Sequence, residues 1–314
     1  MNSLVLASLF PVILLIGAGF VVARLGWVRS TAVKDLSNLV FLLLTPALLF
    51  RTMSTVHVDQ LDFKPVAAYF LAVIFLFGVT FLLQGFNRRA AVLALAATYS
   101  NTVMIGIALV GLVFGPAGLV TLLTLVSVHS LVLLTSATVL LELAVAREQA
   151  AVAQSRVNRN PVVTVLMALK NALLHPVTLP LLAGLLFAQT GLRLPAAIDK
   201  PLELMSLAFG PLALVLVGVT LAFTPVGPHW RSAMALVGVK NLLHPLMVFV
   251  LCRWLGVSGL PLTVMVVAAA LPMGANVFLF SQRYGVAEEL ITASVAVSTA
   301  IALLTLTLAL LLVS

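Results

Sequence analysis

Long apolar stretches, separated by short polar or charged segments, run through the whole chain. Their lengths are close to the ~20 apolar residues that a transmembrane helix needs. The pattern predicts ten spans, near residues 3–24, 33–53, 65–86, 89–112, 116–142, 172–190, 199–222, 231–254, 259–282 and 288–313. Only helices fit such spans, because each backbone polar group must find a partner within its own span. We therefore expect an all-α integral membrane protein.

The composition agrees with a multi-pass membrane protein and argues against a soluble domain. The 314 residues are 62% hydrophobic and 8% charged, whereas soluble domains carry roughly 25% charged residues. The single cysteine, Cys252, excludes an internal disulfide. The sequence contains no nucleotide-binding loop, no grouping of metal ligands and no Ser/His/Asp constellation. We expect no enzyme activity, no cofactor, no metal and no nucleic-acid partner.

The basic residues, which give the net charge of +8, fall mainly in alternate loops. Eleven lie after the odd-numbered spans, five lie in the opposite loops, and Lys240 lies inside a span. The excess of Lys and Arg marks the cytoplasmic loops. The count predicts a plasma-membrane protein, in a bacterium the inner membrane, with both termini on the outer side.

The two halves of the chain resemble each other around a polar linker, residues 147–161. Residues 11–26 align with residues 176–191 at an offset of 165. The matched residues include Gly19 and Gly184, Gly26 and Gly191, and Pro46 and Pro211. Five spans per half is an odd number, so the second half enters the membrane from the opposite side. We predict two inverted five-helix repeats, residues 1–146 and 162–314, an architecture characteristic of secondary transporters.

Two spans carry polar or helix-breaking residues at their centres. The ninth, in "AALPMGANVFLFSQRYG" (269–285), has Pro272, Gly274 and Asn276 within five positions. Proline removes a backbone donor and clashes with the preceding turn. The fourth has the triplet Ser100–Asn101–Thr102 and no proline. We expect the ninth span to be fully broken and the fourth only bent or loosened, with Asn276 facing Asn101 across a small polar cavity.

The chain resembles the auxin efflux carrier family, which includes the plant PIN auxin carriers and bacterial carriers of malonate, malate and similar acids. The resemblance rests on "TPALLF" (45–50), "SNTVMIG" (100–106) and "LPMGANVFLFSQRYG" (271–285), and on the ten spans. The chain departs from the plant carriers in having Ser100 where they have a proline, and in lacking their long central loop.

This resemblance implies a fold shared with bile acid–sodium symporters and sodium–proton antiporters, in which broken spans four and nine cross. Spans 1, 2, 6 and 7 would form a scaffold that also dimerises. Spans 3–5 and 8–10 would form a transport domain that moves as an elevator, giving alternating access.

Together these observations predict a secondary carrier of a small organic anion, a mono- or dicarboxylate such as malonate, malate or an auxin-like acid. N–H groups freed after Pro272 and the adjoining helix N-terminus are expected to attract the carboxylate. The candidate substrate-binding residues are Ser100, Asn101, Thr102, His129, Pro272, Met273, Gly274, Ala275 and Asn276. Other expected partners are membrane lipid, a second copy of the chain, and a coupling H⁺ or Na⁺.

Three further polar side chains inside spans are candidate coupling or charge partners. His129 stands where the similar plant carriers have a glutamine near their substrate, and it either takes a proton or packs helices as a neutral ring. Lys240 and His244 share a helix face, and Lys240 either has a buried partner or snorkels to the interface. Expected helix breaks are Pro46, Pro211, Pro245 and Pro272, and further lining candidates are Thr45 and Asn38.

Two other functions are open at this point. A sodium-coupled symporter of the bile acid type needs a cation cage near the crossing, which unwound carbonyls and carboxamide side chains can supply. A non-transporting receptor or scaffold predicts no saturable flux. No acidic residue lies at mid-span, which weakens a sodium–proton antiporter hypothesis.

Overall fold

The computed structural model describes residues 2–56, 61–152, 178–224, 229–274 and 276–313, and the secondary-structure elements in this part of the chain are helices. The helices, in chain order, are α1 (Asn2–Arg24), α2 (Ala32–Met53), α3 (Lys64–Leu83), α4 (Arg88–Thr98), α5 (Ala108–Val152), α6 (Thr178–Gln189), α7 (Ala196–Phe223), α8 (Trp230–Trp254), α9 (Gly259–Ala270), α10 (Asn276–Tyr284) and α11 (Glu288–Val313). A π-helical segment, Thr102–Ile107, leads directly into α5. Within the described residues, six helices are long and apolar enough to cross a membrane, as a multi-pass membrane protein requires.

A sharp bend divides α5 where the sequence predicts the boundary between spans four and five. Gly115 has φ 61° and ψ −157°, and Pro116 follows it. Side chains rarely tolerate this backbone conformation, so glycine suits the bend. Helix then continues as far as Val152. The predicted linker over 147–161 therefore begins as helix, and its residues after Val152 lie outside the described part.

Helices α4 and α9 form the centre of the molecule. Every residue of Ala90–Thr98 in α4 is buried, and so is every residue of Val264–Ala270 in α9. Both segments consist largely of Ala and Val, so neighbouring helices approach them closely on all sides. Helices α3, α5 and α8 pack against both. A helix that is apolar all round is a buried helix, and these two bring the predicted break positions into the interior.

The outer helices pair at backbone contact through glycines. Helix α1 packs against α7, and α6 packs against α2. A Cβ atom added at Gly19 would lie 1.9 Å from the carbonyl oxygen of Val215, and one added at Gly184 would lie 2.4 Å from that of Phe50. Both distances are far below van der Waals contact, so only glycine allows these approaches.

Three of the four prolines expected to break helices do not. Pro211 lies inside the continuous helix α7, and Pro46 and Pro245 each follow a π-helical turn after which the helix continues. These turns are Val40–Leu44 and Val239–Leu243. A wider π turn accommodates the missing N–H and the ring, so the helix is distorted without being interrupted. Of the four, Pro272 alone stands in a full break.

Candidate functional site

The chain leaves helical geometry for three residues after α4. Tyr99 is extended (φ −83°, ψ 109°), and Asn101 has φ −76° and ψ 62°. Helix resumes at Thr102, where the side-chain oxygen of Asn101 accepts a hydrogen bond from the Met104 N–H at 3.2 Å. The expectation of a merely bent fourth span is therefore wrong. No proline is needed here because the Asn101 side chain caps the next helical segment.

The ninth span is broken, as Pro272 predicts. Helix α9 ends at Ala270, and Leu271 is extended (φ −55°, ψ 150°). Helix resumes at Asn276. Ala275 lies outside the described residues.

The two breaks cross and pair through their backbones. The Asn101 N–H donates to the Pro272 carbonyl at 2.9 Å, and the Gly274 N–H donates to the Tyr99 carbonyl at 3.0 Å. Ser100 and Met273 lie opposite each other in this antiparallel bridge. Each break therefore satisfies backbone groups that the other leaves without helical partners, which membrane depth requires.

This pairing corrects one expectation about anion binding. The Gly274 N–H is used by the Tyr99 carbonyl, and the Met273 N–H donates to the Ser298 hydroxyl at 2.9 Å. The first two amides after Pro272 are thus occupied by the protein. Donors for a ligand must come from side chains and from the helical segments that begin beside the breaks.

The close approach of the breaks depends on Gly274. A Cβ atom added there would lie 2.6 Å from the Tyr99 ring and 3.2 Å from the Ser100 carbonyl oxygen. A side chain at this position would force the two strands apart. Gly274 is thus required by packing at the crossing.

A cavity of about 380 Å³ lies beside the crossing. None of the described residues that line it is charged. Its polar lining consists of Ser37, Asn38, Tyr99, Ser100, Asn101, Thr102, Thr220, Thr224, Asn276 and Thr299. The wall is therefore rich in neutral hydrogen-bonding groups from both breaks, α2, α7 and α11.

The cavity brings together most of the predicted substrate-binding residues. Those that line it are Ser100, Asn101, Thr102, Met273, Gly274 and Asn276. Pro272 is buried and His129 is fully buried, and neither lines the cavity. Of the two further candidates, Asn38 lines it, whereas Thr45 is buried elsewhere and donates to the Val40 carbonyl at 2.8 Å.

Tyr99 joins the two breaks a second time. Its hydroxyl accepts a hydrogen bond from the Asn276 side-chain amide at 2.8 Å. Tyr99 is not among the residues predicted from the sequence, although its place directly before the polar triplet, inside an apolar span, is a signal for it. A phenol places a polar tip at the edge of an apolar body, which suits the wall of this cavity.

A buried polar cluster, centred on Tyr69 of α3, lies next to the crossing. The Tyr69 hydroxyl is 3.2 Å from the Ser100 hydroxyl and 3.3 Å from His129 Nε2. The His244 ring lies with its centroid 5.1 Å from that of Tyr69. His129 is therefore linked to the crossing by its hydrogen bond to Tyr69, and His244 contacts Tyr69 through its ring. The apolar sequence around Tyr69 does not indicate this role.

Lys240 is fully buried at 0% exposure. Its Nζ atom donates to the carbonyl of Ala269 at 2.7 Å and to that of Leu271 at 2.8 Å. Both carbonyls belong to the end of α9 and the start of the break. Snorkelling is thus excluded, because the side chain points to the broken helix and not to an interface.

A second buried network fixes the ninth-span break from α8 and α11. The Ser298 hydroxyl accepts from the Met273 N–H and donates to the Asn241 side-chain oxygen at 2.8 Å. The Asn241 amide in turn donates to the Ser298 carbonyl at 3.2 Å and to the Thr305 hydroxyl at 3.3 Å. These residues position the break without lining the cavity.

A larger cavity, about 910 Å³, lies at the opposite ends of α2 and α7. Its wall includes Thr55 after the end of α2, Asp199 of α7 and the Gly111 region before the bend of α5. Arg51 Nε donates to the Asp199 carboxylate at 2.8 Å across this wall. None of the described residues in its wall belongs to the paired breaks, so the smaller cavity is the candidate site.

Sequence comparison identifies the family of proteins to which this chain belongs. The profile of the family described as "Membrane transport protein" matches residues 4–310. The chain therefore belongs to this family, and it is a transporter and not an enzyme. It is also 28% identical over 302 residues to a Rhizobium meliloti (strain 1021) protein named "Putative malonate transporter", covering 93% of this chain and 91% of that relative.

Proposed function

We propose that this protein is a secondary carrier that moves a small organic anion, a mono- or dicarboxylate such as malonate, across the membrane. The observation that carries the proposal is the cavity of about 380 Å³ beside two paired helix breaks, with a wall of neutral donors. The name of the Rhizobium meliloti relative points to the same class of substrate.

Neutral side chains in this cavity can bind a carboxylate. The Asn101 side-chain oxygen is used by Met104, and its amide nitrogen has no hydrogen-bond partner within the described residues. We assign this amide, the second N–H of the Asn276 side-chain amide and the hydroxyls of Ser100 and Thr102 to a carboxylate of the substrate. Hydrogen bonds to an ionised group are roughly twice as strong as neutral ones.

Helix polarity supports anion binding at the same place. The segment Thr102–Ile107 and helix α10 both begin at residues that line the cavity. The N-terminal end of a helix carries a partial positive charge and free N–H groups, so anions are stabilised there. Two such ends at one cavity favour a carboxylate over a cation.

The proposed architecture is two inverted five-helix repeats. Support comes from contacts related by the offset of 165. Gly19 against Val215 and Gly184 against Phe50 are the same contact with the halves exchanged. Glycines with positive φ also recur in the two halves, Gly26 with Gly191 at the offset of 165 and Gly115 with Gly285 at an offset of 170. Such pairs follow when both halves share one fold.

The proposed mechanism is an elevator in which α1, α2, α6 and α7 stay fixed while the remaining helices move. Support comes from the two cavities, which both lie between these sets of helices. One cavity is lined by Ser37 and Thr224, and the other by Thr55 and Asp199. These residues stand at opposite ends of α2 and α7, so a sliding motion would expose the crossing to each side in turn.

We further propose a bacterial inner-membrane homodimer with both termini outside, and His129 as the site of any coupling proton.

Binding is tested by thermal unfolding of the purified protein with malonate, malate and the uncharged analogue malonamide, with and without sodium. Malonate or malate should raise the melting temperature, and malonamide should not. Equal melting curves with all three compounds would contradict a carboxylate site.

A further inference from the structure

The end of α9 presents carbonyl oxygens that helical hydrogen bonding does not use. The last helical donor is the Leu271 N–H, which bonds to the Val267 carbonyl. Pro272 has no N–H to offer the preceding turn. The carbonyls of Ala269 and Leu271 are therefore available to other donors, at the negative end of the helix dipole.

In secondary transporters with broken helices, carbonyls of this kind coordinate the coupling cation. Here the ammonium of Lys240 contacts both of them, at 2.7 and 2.8 Å. These distances are typical of charged donors. Lys240 is fully buried, and none of the described carboxylates forms an ion pair with it. When protonated, this side chain carries a positive charge that the two carbonyl dipoles balance, as they would a bound metal cation.

The position of Lys240 connects this charge to the substrate cavity. Leu271 directly precedes Pro272, whose carbonyl accepts from the Asn101 N–H. Asn101 lines the cavity. The Lys240 side chain thus contacts the segment that leads into the crossing, and it does not line the cavity in which the substrate is proposed to bind.

We propose that the Lys240 ammonium is a built-in substitute for a coupling cation, so that binding of the organic anion requires no sodium at the crossing. This inference rests on the proposed function and answers the sodium-symport alternative. The protein carries its cation covalently, on α8, and the cation cannot dissociate between transport cycles. Any driving ion must act elsewhere, since this position is filled in every state that keeps the contact.

The test removes the ammonium in two ways. Lys240→Ala leaves a cavity that a small cation can enter, whereas Lys240→Met fills the same space without charge. Lys200→Ala is the matched control, because Lys200 is exposed and pairs with Glu203. Thermal unfolding is measured for all four proteins in chloride salts of sodium, ethylammonium and choline, without substrate. Malonate affinity is then measured in the same salts.

The parent and Lys200→Ala should melt at the same temperature in all three salts, and the parent should bind malonate equally in each. Lys240→Ala should melt lower in choline and be raised by ethylammonium or sodium, by about 3 °C when the cation is well above its dissociation constant. Lys240→Met should melt below the parent and respond to no salt.

Three results would overturn the inference. They are sodium-dependent malonate affinity in the parent, no response of Lys240→Ala to either small cation, and parent-like melting of Lys240→Met. The malonate affinity of the parent in the three salts tests the inference even when Lys240→Ala does not fold. Absence of malonate binding by the parent in every salt would instead reject the proposed function. The melting temperatures would still test whether the Lys240 ammonium occupies a cation position.

Discussion

The side-chain amide of Asn276 donates to the hydroxyl of Tyr99 at 2.8 Å, from the start of α10 to the end of α4. This bond joins the two breaks at the wall of the cavity, beside the backbone bridge between the same segments. It therefore couples the geometry of the two halves at the place where the substrate is proposed to bind.

Replacing Tyr99 by phenylalanine keeps the ring and removes the hydroxyl. We expect malonate affinity to fall about three- to tenfold, because the Asn276 amide loses its positioning partner and a hydrogen bond contributes roughly 1 kcal/mol. Isothermal titration of the purified variant measures this loss. Tyr284→Phe is the matched control, since Tyr284 bonds to Glu142 away from the cavity. If Tyr99→Phe binds malonate as tightly as the parent, the Tyr99 hydroxyl does not contribute to substrate binding.

Two serines on α11 separate a role at the break from a role within one helix. Both are fully buried, but Ser298 bonds to Met273 and Asn241, whereas Ser294 bonds, within the described residues, only to the Leu290 carbonyl of its own helix. Ser298→Ala leaves the Met273 N–H and the Asn241 oxygen unpaired, each at a cost of about 1–3 kcal/mol. We expect Ser298→Ala to melt clearly lower than Ser294→Ala. Equal melting temperatures would show that the network does not stabilise the break.

Close packing at the crossing predicts that Gly274→Ala is harmful. The added methyl group meets the Tyr99 ring at 2.6 Å, and overpacking of this kind costs about 1–3 kcal/mol. We expect a lower melting temperature and weaker malonate binding. Gly78→Ala in α3 is the control, because its Cβ atom meets nothing within 4 Å. The account is contradicted if the two variants behave alike in both measurements.

The proposed orientation is tested by cysteine labelling, for which the native Cys252 is buried. Asn38 and Thr55 are exposed in the two cavities at opposite ends of α2. In intact cells, a membrane-impermeant maleimide should label Thr55→Cys and should label Asn38→Cys only after the cells are opened. The reverse pattern would invert the predicted orientation.

The sequence predicted the breaks in part, because the residues that cause them are local. Pro272 lacks a backbone N–H whatever the packing around it, so the ninth-span break could be predicted directly from the sequence. Asn101 acts through a cap on Met104 and through pairing with Pro272. That pairing joins residues far apart in sequence, which is why the fourth span appeared only bent.

The roles of Lys240 and Tyr69 could not be predicted for a similar reason. A lysine in an apolar span predicts a partner or snorkelling, but its partners are backbone carbonyls, which no sequence motif marks. Tyr69 lies in an apolar helix and becomes significant only because α3 packs against α4 and faces Ser100 and His129. Both roles depend on helix packing, which periodicity alone does not fix.

The central claim is that the crossing binds and carries an organic anion, and transport measures it most directly. The protein is reconstituted into liposomes, and uptake of labelled malonate is followed for the parent, for Asn276→Ala and for Gln84→Ala. Gln84 is an exposed carboxamide residue after the end of α3. The account predicts saturable uptake by the parent and Gln84→Ala, and a loss of about tenfold or more in Asn276→Ala, the size expected for a hydrogen bond to a charged group. Uptake by Asn276→Ala at the parent rate would contradict it.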